Sequence, residues 1–347
     1  RARIIRHEMP LRHGSAPAIA WQCAISGAVA MAKGYCALVL HAHLPFVRHP
    51  EYESFLEERW LFEAMTETYI PLLRMFQRLA DDRVPCNITV SLSPPLLAMM
   101  QDTLLQQRYC AHLEMLIELC GREQERTRHD GHLRYLAEMY ERIFRETLDF
   151  YTRVCKKNPV MLFKKLHQDG IIELITTTAT HAVLPLLAHH PKLVGLQIRA
   201  GIDYFEEVFG FRPKGIWLPE CGYYPGLDNF LRDAGVRYFI TEAHGITNAS
   251  TTPFFSVHTP LYTPSGVAAF GRDQECTREV WSAREGFPGD PDYREFYRDI
   301  GHDLDFDYIK PYIAGNVRVD TGIKYHRITG PTSHKELYHP DAAVAKA

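Results

Sequence analysis

Five short apolar runs punctuate this chain, at residues 35–40 (YCALVL), 87–92 (NITVSL), 171–177 (IIELITT), 215–218 (GIWL) and 237–241 (RYFIT). Runs of this length, rich in Val, Ile, Leu and Tyr, read as buried strands. Helical spacing fills most of the gaps between them. A parallel neighbour cannot be reached by a tight turn, so strands alternating with helices indicate a parallel sheet. The expected fold class is α/β, doubly wound or closed into a barrel.

The intervening segments refine that picture. Residues 57–79 place Trp60, Leu61, Ala64, Met65 and Thr68 on one helical face, and Pro71 is expected to break or kink the helix. Residues 96–165 are long, helical and dense in Leu, Met, Glu and Arg. That is too much helix for one crossover, so it reads as an inserted helical region. Helices are also expected at 193–209 and 227–234, and residues 269–299 read as a long loop-rich stretch that could shape a substrate site.

Composition excludes several function classes. The 347 residues carry 39 basic and 42 acidic side chains, a net charge of −3, so no basic excess favours nucleic acid. Hydrophobic residues at 46% and charged residues at 23% fit a soluble globular chain. No stretch of 18 apolar residues is present, so no membrane partner is expected. The eight cysteines form no CxxC pair, which reads as free thiols in a reducing, cytoplasmic setting. No GxGxxG or GxxxxGK[ST] follows a strand, so nucleotide cofactors have no support.

The opening is unusual. Residues 1–13 are basic and 16–32 are small and apolar, a pattern similar to a signal peptide. The chain nevertheless begins with Arg, and a strand follows directly after Met31-Ala32-Lys33-Gly34. Residues 1–33 are therefore read as an appendage outside the fold, with Met31 as the natural start.

The chemistry-bearing residues share a position. The first strand runs into His41-Ala42-His43, the third into Thr180-His181, the fourth into Pro219-Glu220 and the fifth into Glu242-Ala243-His244. The C-terminal ends of parallel strands are where a barrel builds its active site. Packing accounts readily for one such His, but not for four strands that each deliver a His or Glu. Glu220 sits between the Trp217-Leu218-Pro219 run and Gly222-Tyr223, where a carboxylate can serve as nucleophile, general base or metal ligand. A helix cap or surface Glu is the alternative. His41 and His43, two apart on an extended segment, share a face and can converge on a sugar or a metal. No third ligand falls at a diagnostic spacing, so no metal and no cofactor is expected. Glu242 and His244 are read either as substrate contacts or as an orienting pair. Trp281 is a candidate stacking residue, with a buried core position as the alternative.

These motifs together resemble glycoside hydrolase family 57 and, within it, the 1,4-α-glucan branching enzymes. The residues that carry the resemblance are MAKGYCALVLHAHLPFVRHPE, WLFEAMTETYIPLL, TATHAVLPLL, GIWLPECGYYPG, PSGVAAFGRD, EVWSAREGFPGDPDYREFYRDIG and TGIKYHRITG, in order from Met31 to about Gly330. The resemblance implies a (β/α)7 barrel over residues 34–347 with the helical insertion, followed in relatives by a C-terminal helical domain. It also implies retaining, metal-free transfer on an α-1,4-glucan partner. It makes Glu220 the nucleophile, His41, His43 and His181 donors to sugar hydroxyls, and Trp281 a stacking residue. Trp217, Tyr223, Glu242 and His244 are expected beside them as further substrate-binding residues.

The chain departs from the family pattern at three points. The family's general acid is an Asp in a DTELFGHWW-type segment beyond TGIKYHRITG, and no such segment occurs before Ala347. The C-terminal helical domain and the closing strands of the barrel are likewise not accounted for. Glu242 stands where an Asp is expected before the HG. Asp290 and Asp299 are available carboxylates, but no motif gives either the donor role. The chain alone is therefore expected to show residual or no activity. The alternatives are α-amylase or 4-α-glucanotransferase activity, a non-catalytic glucan-binding remnant and, further off, a metal-dependent deacetylase-like barrel.

Overall fold

The computed structural model describes residues 34–313 and 317–347, so the appendage expected at 1–33 lies outside the described residues. The described residues form seven strands: β1 (Val39–Ala42), β2 (Ile88–Leu92), β3 (Ile172–Ile175), β4 (Gly215–Trp217), β5 (Tyr238–Thr241), β6 (Leu261–Tyr262) and β7 (Ala268–Gly271). β1, β2 and β3 pair in parallel, as do β4, β5 and β7, while β6 adds antiparallel to β7. A parallel bridge between Thr176 and Ile216 joins the two runs, and the Trp217 N–H donates to the Thr176 carbonyl at 2.9 Å. Six parallel strands thus follow one another in chain order.

Strand alternation sorts side chains to two faces. Ile216, Phe239 and Ala269 pack with Val194, Ile198 and Ile202 of a flanking helix. Their neighbours Trp217 and Ile240 pack on the other face with Cys221, Tyr238 and Phe270, and Val39 of β1 joins that cluster. The first strand therefore meets side chains of the fourth, fifth and seventh, so the sheet is strongly curled. No hydrogen-bonded pairing between β1 and β7 occurs among the described residues.

β7 corrects the expectation of a loop from residue 269. Its sequence, Ala-Ala-Phe-Gly, has low intrinsic strand preference, and its strand state comes from pairing with β5. The same stretch also contains a helix, Gln274–Trp281.

The helices follow the expected plan with adjustments. α1 (Glu58–Ala64) and α2 (Ile70–Asp81) are joined by a π-helical turn, Met65–Tyr69. Pro71 lacks an N–H, and it is accommodated just after the widened turn instead of ending the helix. The long helical region resolves into α3 (Pro94–Gln101), α4 (Thr103–Arg126), α5 (Gly131–Asp149) and α6 (Pro159–Gln168). Asp102 caps α4 by accepting from the Leu105 N–H, and Asp130 caps α5 by accepting from His132 and Leu133. α7 (Pro191–Phe209), α8 (Leu227–Asp233) and α9 (Ala243–Thr247) complete the strand-rich part, and α10 is Gln274–Trp281.

The chain forms two compact units. The first comprises residues up to 46, 73–98 and 160–273, and holds every strand. The second comprises residues 47–72, 99–159 and 274–347. In it, the buried Glu123 of α4 pairs with Arg126 and accepts from the Tyr308 and Tyr325 hydroxyls at 2.8 and 3.0 Å. Tyr140 of α5 donates to the Lys324 carbonyl at 2.8 Å. The helical region and the C-terminal segment therefore share one set of buried polar contacts. Asp299 is absorbed in the same way. Its buried carboxylate accepts from the N–H groups of Gly301, Thr321 and Gly322, and burial pushes its pKa up.

Gly201 controls how α7 approaches the end of β3. A Cβ at that position would lie 2.5 Å from the Thr177 carbonyl oxygen and 2.9 Å from the Ala179 nitrogen. Gly201→Ala is expected to lower stability by about 1–3 kcal/mol through overpacking against backbone. Urea denaturation measures this, and an unchanged midpoint would show that the contact is loose.

Candidate active site

β1 carries His41 and leads directly into His43, and the two rings lie on one side with centroids 6.3 Å apart. The parallel register sets His41 beside Ser91 of β2, and the His41 Nδ1 and Ser91 Oγ are 3.2 Å apart. Two residues on, His43 Nδ1 and Ser93 Oγ are 2.9 Å apart. These serines were not among the expected site residues. The signal was present in the SLS spacing at the second strand end, but hydroxyls are less conspicuous there than imidazoles.

His181, beyond the end of β3, completes a stack of rings. Its centroid lies 3.8 Å from that of His43 and 5.0 Å from that of His41, with planes 20–21° apart. The Trp217 indole faces His41 at 4.5 Å and 6°. Trp217 is only 9% exposed, so it supports His41 and does not offer an open face to a ligand. The His181 Nδ1 is buried without a hydrogen-bond partner among the described residues.

The stack controls protonation. Burial, followed by repulsion from His181, His43 and Arg272, lowers the His41 pKa from 6.5 to about 3. Burial and the neighbouring His43 lower that of His181 to about 4, and burial lowers that of His43. The rings are therefore neutral near pH 7. Near-parallel rings do not aim their nitrogens at one point, and among the described residues no group of three His, Cys, Asp or Glu is arranged to hold a metal ion.

Glu220 follows β4 with φ 51° and ψ 27°, and Cys221 follows with φ 52°. His181 also has a positive φ, 54°. A non-glycine residue held in the left-handed region costs of order 1–3 kcal/mol, and such strain clusters at functional sites. Glu220 is exposed, while Cys221 is buried against Trp217 and Ile240. Burial comes first among the causes that push the Cys221 thiol up to about 11.

Arg272, immediately after β7, was also missed from sequence because β7 itself was missed. Its guanidinium donates to the Glu242 carboxylate at 2.5 Å and lies 5.6 Å from the Trp217 ring centroid. Glu242 is thus bound to Arg272, and no bond joins it to His244 among the described residues. His244 is exposed on α9. Tyr223 is also outside the stack. It lies 5.3 Å from Phe239 on the helix-facing side, and its hydroxyl donates to Asp228 at 3.3 Å. Trp281 ends α10 in the second unit and is 82% exposed, which removes the buried-core alternative. A cavity of about 480 Å³ opens at the N-terminal ends of β5 and β7, lined by Arg237, Tyr238, Val267 and Ala268. It contains no carboxylate or imidazole and lies at the wrong end of the strands for the ring stack.

The model of glycosyl hydrolase family 57 matches residues 37–341. The chain belongs to glycosyl hydrolase family 57. It is 30% identical over 344 residues to a 1,4-α-glucan branching enzyme of Thermococcus kodakarensis, a match covering 90% of this chain and 47% of that protein. Among solved structures, the α-amylase AmyC from Thermotoga maritima is 47% identical with a TM-score of 0.84, covering 89% of this chain and 60% of its own. The GH57-type branching enzyme from Pyrococcus horikoshii is 32% identical with a TM-score of 0.78, covering 90% and 57%. The chain spans about half the length of the curated relatives it matches.

The buried imidazoles couple folding to pH. A histidine lowered in the folded state binds fewer protons there than in the unfolded state, between its folded value and 6.5. Stability is therefore expected to fall as pH drops below about 6.5, and this contribution levels off near pH 3. His41→Gln should flatten that slope in urea titrations at stepped pH. Equal slopes for variant and parent would contradict the assignment.

Proposed function

We propose that this chain carries the sugar-transfer site of a retaining 1,4-α-glucan branching enzyme on a (β/α)7 barrel, with Glu220 as nucleophile. The observation that supports this most is an exposed carboxylate in a left-handed turn, three residues beyond the Trp217 that backs the histidine stack. In the first step a Glu220 oxygen attacks the anomeric carbon of an α-1,4 link and the bond to the departing 4-oxygen breaks. That oxygen leaves with the electron pair and takes a proton from a second carboxyl, about 5–5.5 Å from the first in retaining enzymes. In the second step a glucan 6-hydroxyl attacks the same carbon, releases Glu220 and passes its proton to that carboxyl.

The neutral imidazoles suit sugar hydroxyls, which both donate and accept. Ser91 and Ser93 engage Nδ1 of His41 and His43, which leaves Nε2 of each ring for a ligand. The seven described cysteines form no disulfide with one another, in keeping with a cytoplasmic setting. Among the described residues, no helix is long and apolar enough to cross a membrane.

No residue described above is assigned as proton donor, so the informative probe is one whose leaving group needs no proton. An α-maltosyl fluoride is expected to release fluoride and leave a maltosyl adduct on Glu220, read by intact mass and peptide mapping. Glu220→Gln should reduce adduct formation by several orders of magnitude. Maltoheptaose binding without any adduct, and unchanged in Glu220→Gln, would favour a glucan-binding role instead.

The 47% identity to the Thermotoga maritima α-amylase gives hydrolysis standing as a second reading. Linkage analysis of products from amylose separates the two. New α-1,6 branch points are expected for branching, and shorter linear chains alone would indicate an amylase.

A further inference from the structure

The Glu220 turn is held from the neighbouring strand. Within the turn, the Cys221 N–H donates to the Leu218 carbonyl at 2.7 Å and the Gly222 N–H donates to the Pro219 carbonyl at 3.0 Å. These bonds close the turn but do not anchor it to the sheet. That anchor is Thr241, the last residue of β5, whose buried hydroxyl donates to the Cys221 carbonyl at 3.0 Å. The Cys221 carbonyl follows the two consecutive left-handed residues, so this bond fixes the end of the strained segment that carries the carboxylate.

The surroundings leave Thr241 little freedom to bond elsewhere. Gly245 of α9 crosses so close that a Cβ there would lie 2.9 Å from the Thr241 Oγ1. The neighbouring Glu242 is occupied by Arg272, whose guanidinium also reaches to 3.9 Å from the Cys221 sulfur. Thr241 has no exposed surface for contact with a sugar, being 2% exposed.

We propose that Thr241 is a positioning residue for the nucleophile, its hydroxyl holding the Glu220–Cys221 turn in the geometry that aims the carboxylate at the anomeric carbon. The proposal rests on Glu220 being the nucleophile. It concerns the rate of carbon–oxygen bond formation and leaves glucan affinity untouched, because the hydroxyl acts through backbone and touches no substrate.

The test compares Thr241→Val, which keeps the shape and removes the donor, with Thr241→Ser, which restores it. The readouts are fluoride release and adduct formation with α-maltosyl fluoride, and maltoheptaose affinity by calorimetry. Thr241→Val is expected to slow adduct formation by about 10–100-fold, the scale of an ångström-sized misplacement of a reacting group. Maltoheptaose affinity should stay unchanged, and Thr241→Ser should recover most of the rate. Adduct formation at the parent rate in Thr241→Val overturns the positioning role, while loss of adduct in Glu220→Gln alongside it leaves the nucleophile in place. Adduct formation at the parent rate in Glu220→Gln overturns the functional reading itself. If circular dichroism shows Thr241→Val unfolded, Gly245→Ala serves in its stead, since it keeps the hydroxyl but displaces it. The same slow adduct formation with intact binding is then expected, and a parent rate overturns the proposal.

Discussion

Parallel pairing in chain order is the constraint on which the site depends. Because β1, β2 and β3 run the same way in fixed register, His41 faces Ser91 and the residues two further on face each other again. The Thr176–Ile216 bridge extends that order to β4, so His181 and Trp217 arrive at the same end of the sheet. A slip of one residue in any of these pairings would turn the site side chains to the helix-facing side.

What the ring stack provides is polarity without charge. Three imidazoles packed face to face would repel one another if protonated, and burial removes the water that would stabilise the cations. Arg272, a formal cation in contact with Trp217, is neutralised by Glu242. Such a surface matches a neutral polyhydroxylated ligand better than an anionic one. The strain at His181, Glu220 and Cys221 fits the same picture, since backbone held out of its relaxed region needs a rigid frame around it.

Much of this was legible in the sequence. The two-residue spacing of His41 and His43 specifies one face, and the rings do share it. The strand-end rule puts His181 and Glu220 beyond the C-terminal ends of the third and fourth strands, and both do follow β3 and β4. Other features were hidden for physical reasons. β7 has no β-branched residue and exists through pairing alone, so Arg272 looked like a loop residue. The left-handed turn at Glu220–Cys221 uses neither Gly nor Asn, the usual signals for that conformation. Tyr223 is an aromatic beside a candidate carboxylate, yet its position on the outer face follows from packing on Phe239, which no local pattern reveals.

The division of the chain into interleaved segments has a consequence for biosynthesis. The polypeptide passes from one unit to the other five times, at 46/47, 72/73, 98/99, 159/160 and 273/274. The buried Glu123 of α4 must wait for Tyr308 and Tyr325, which lie 185 and 202 residues further along. On the ribosome, the α4–α5 hairpin therefore emerges long before the tyrosines that satisfy its buried acid. Neither unit can be excised as a continuous stretch of gene, and nascent chains stalled between these points would expose apolar helix surface to chaperones or to one another.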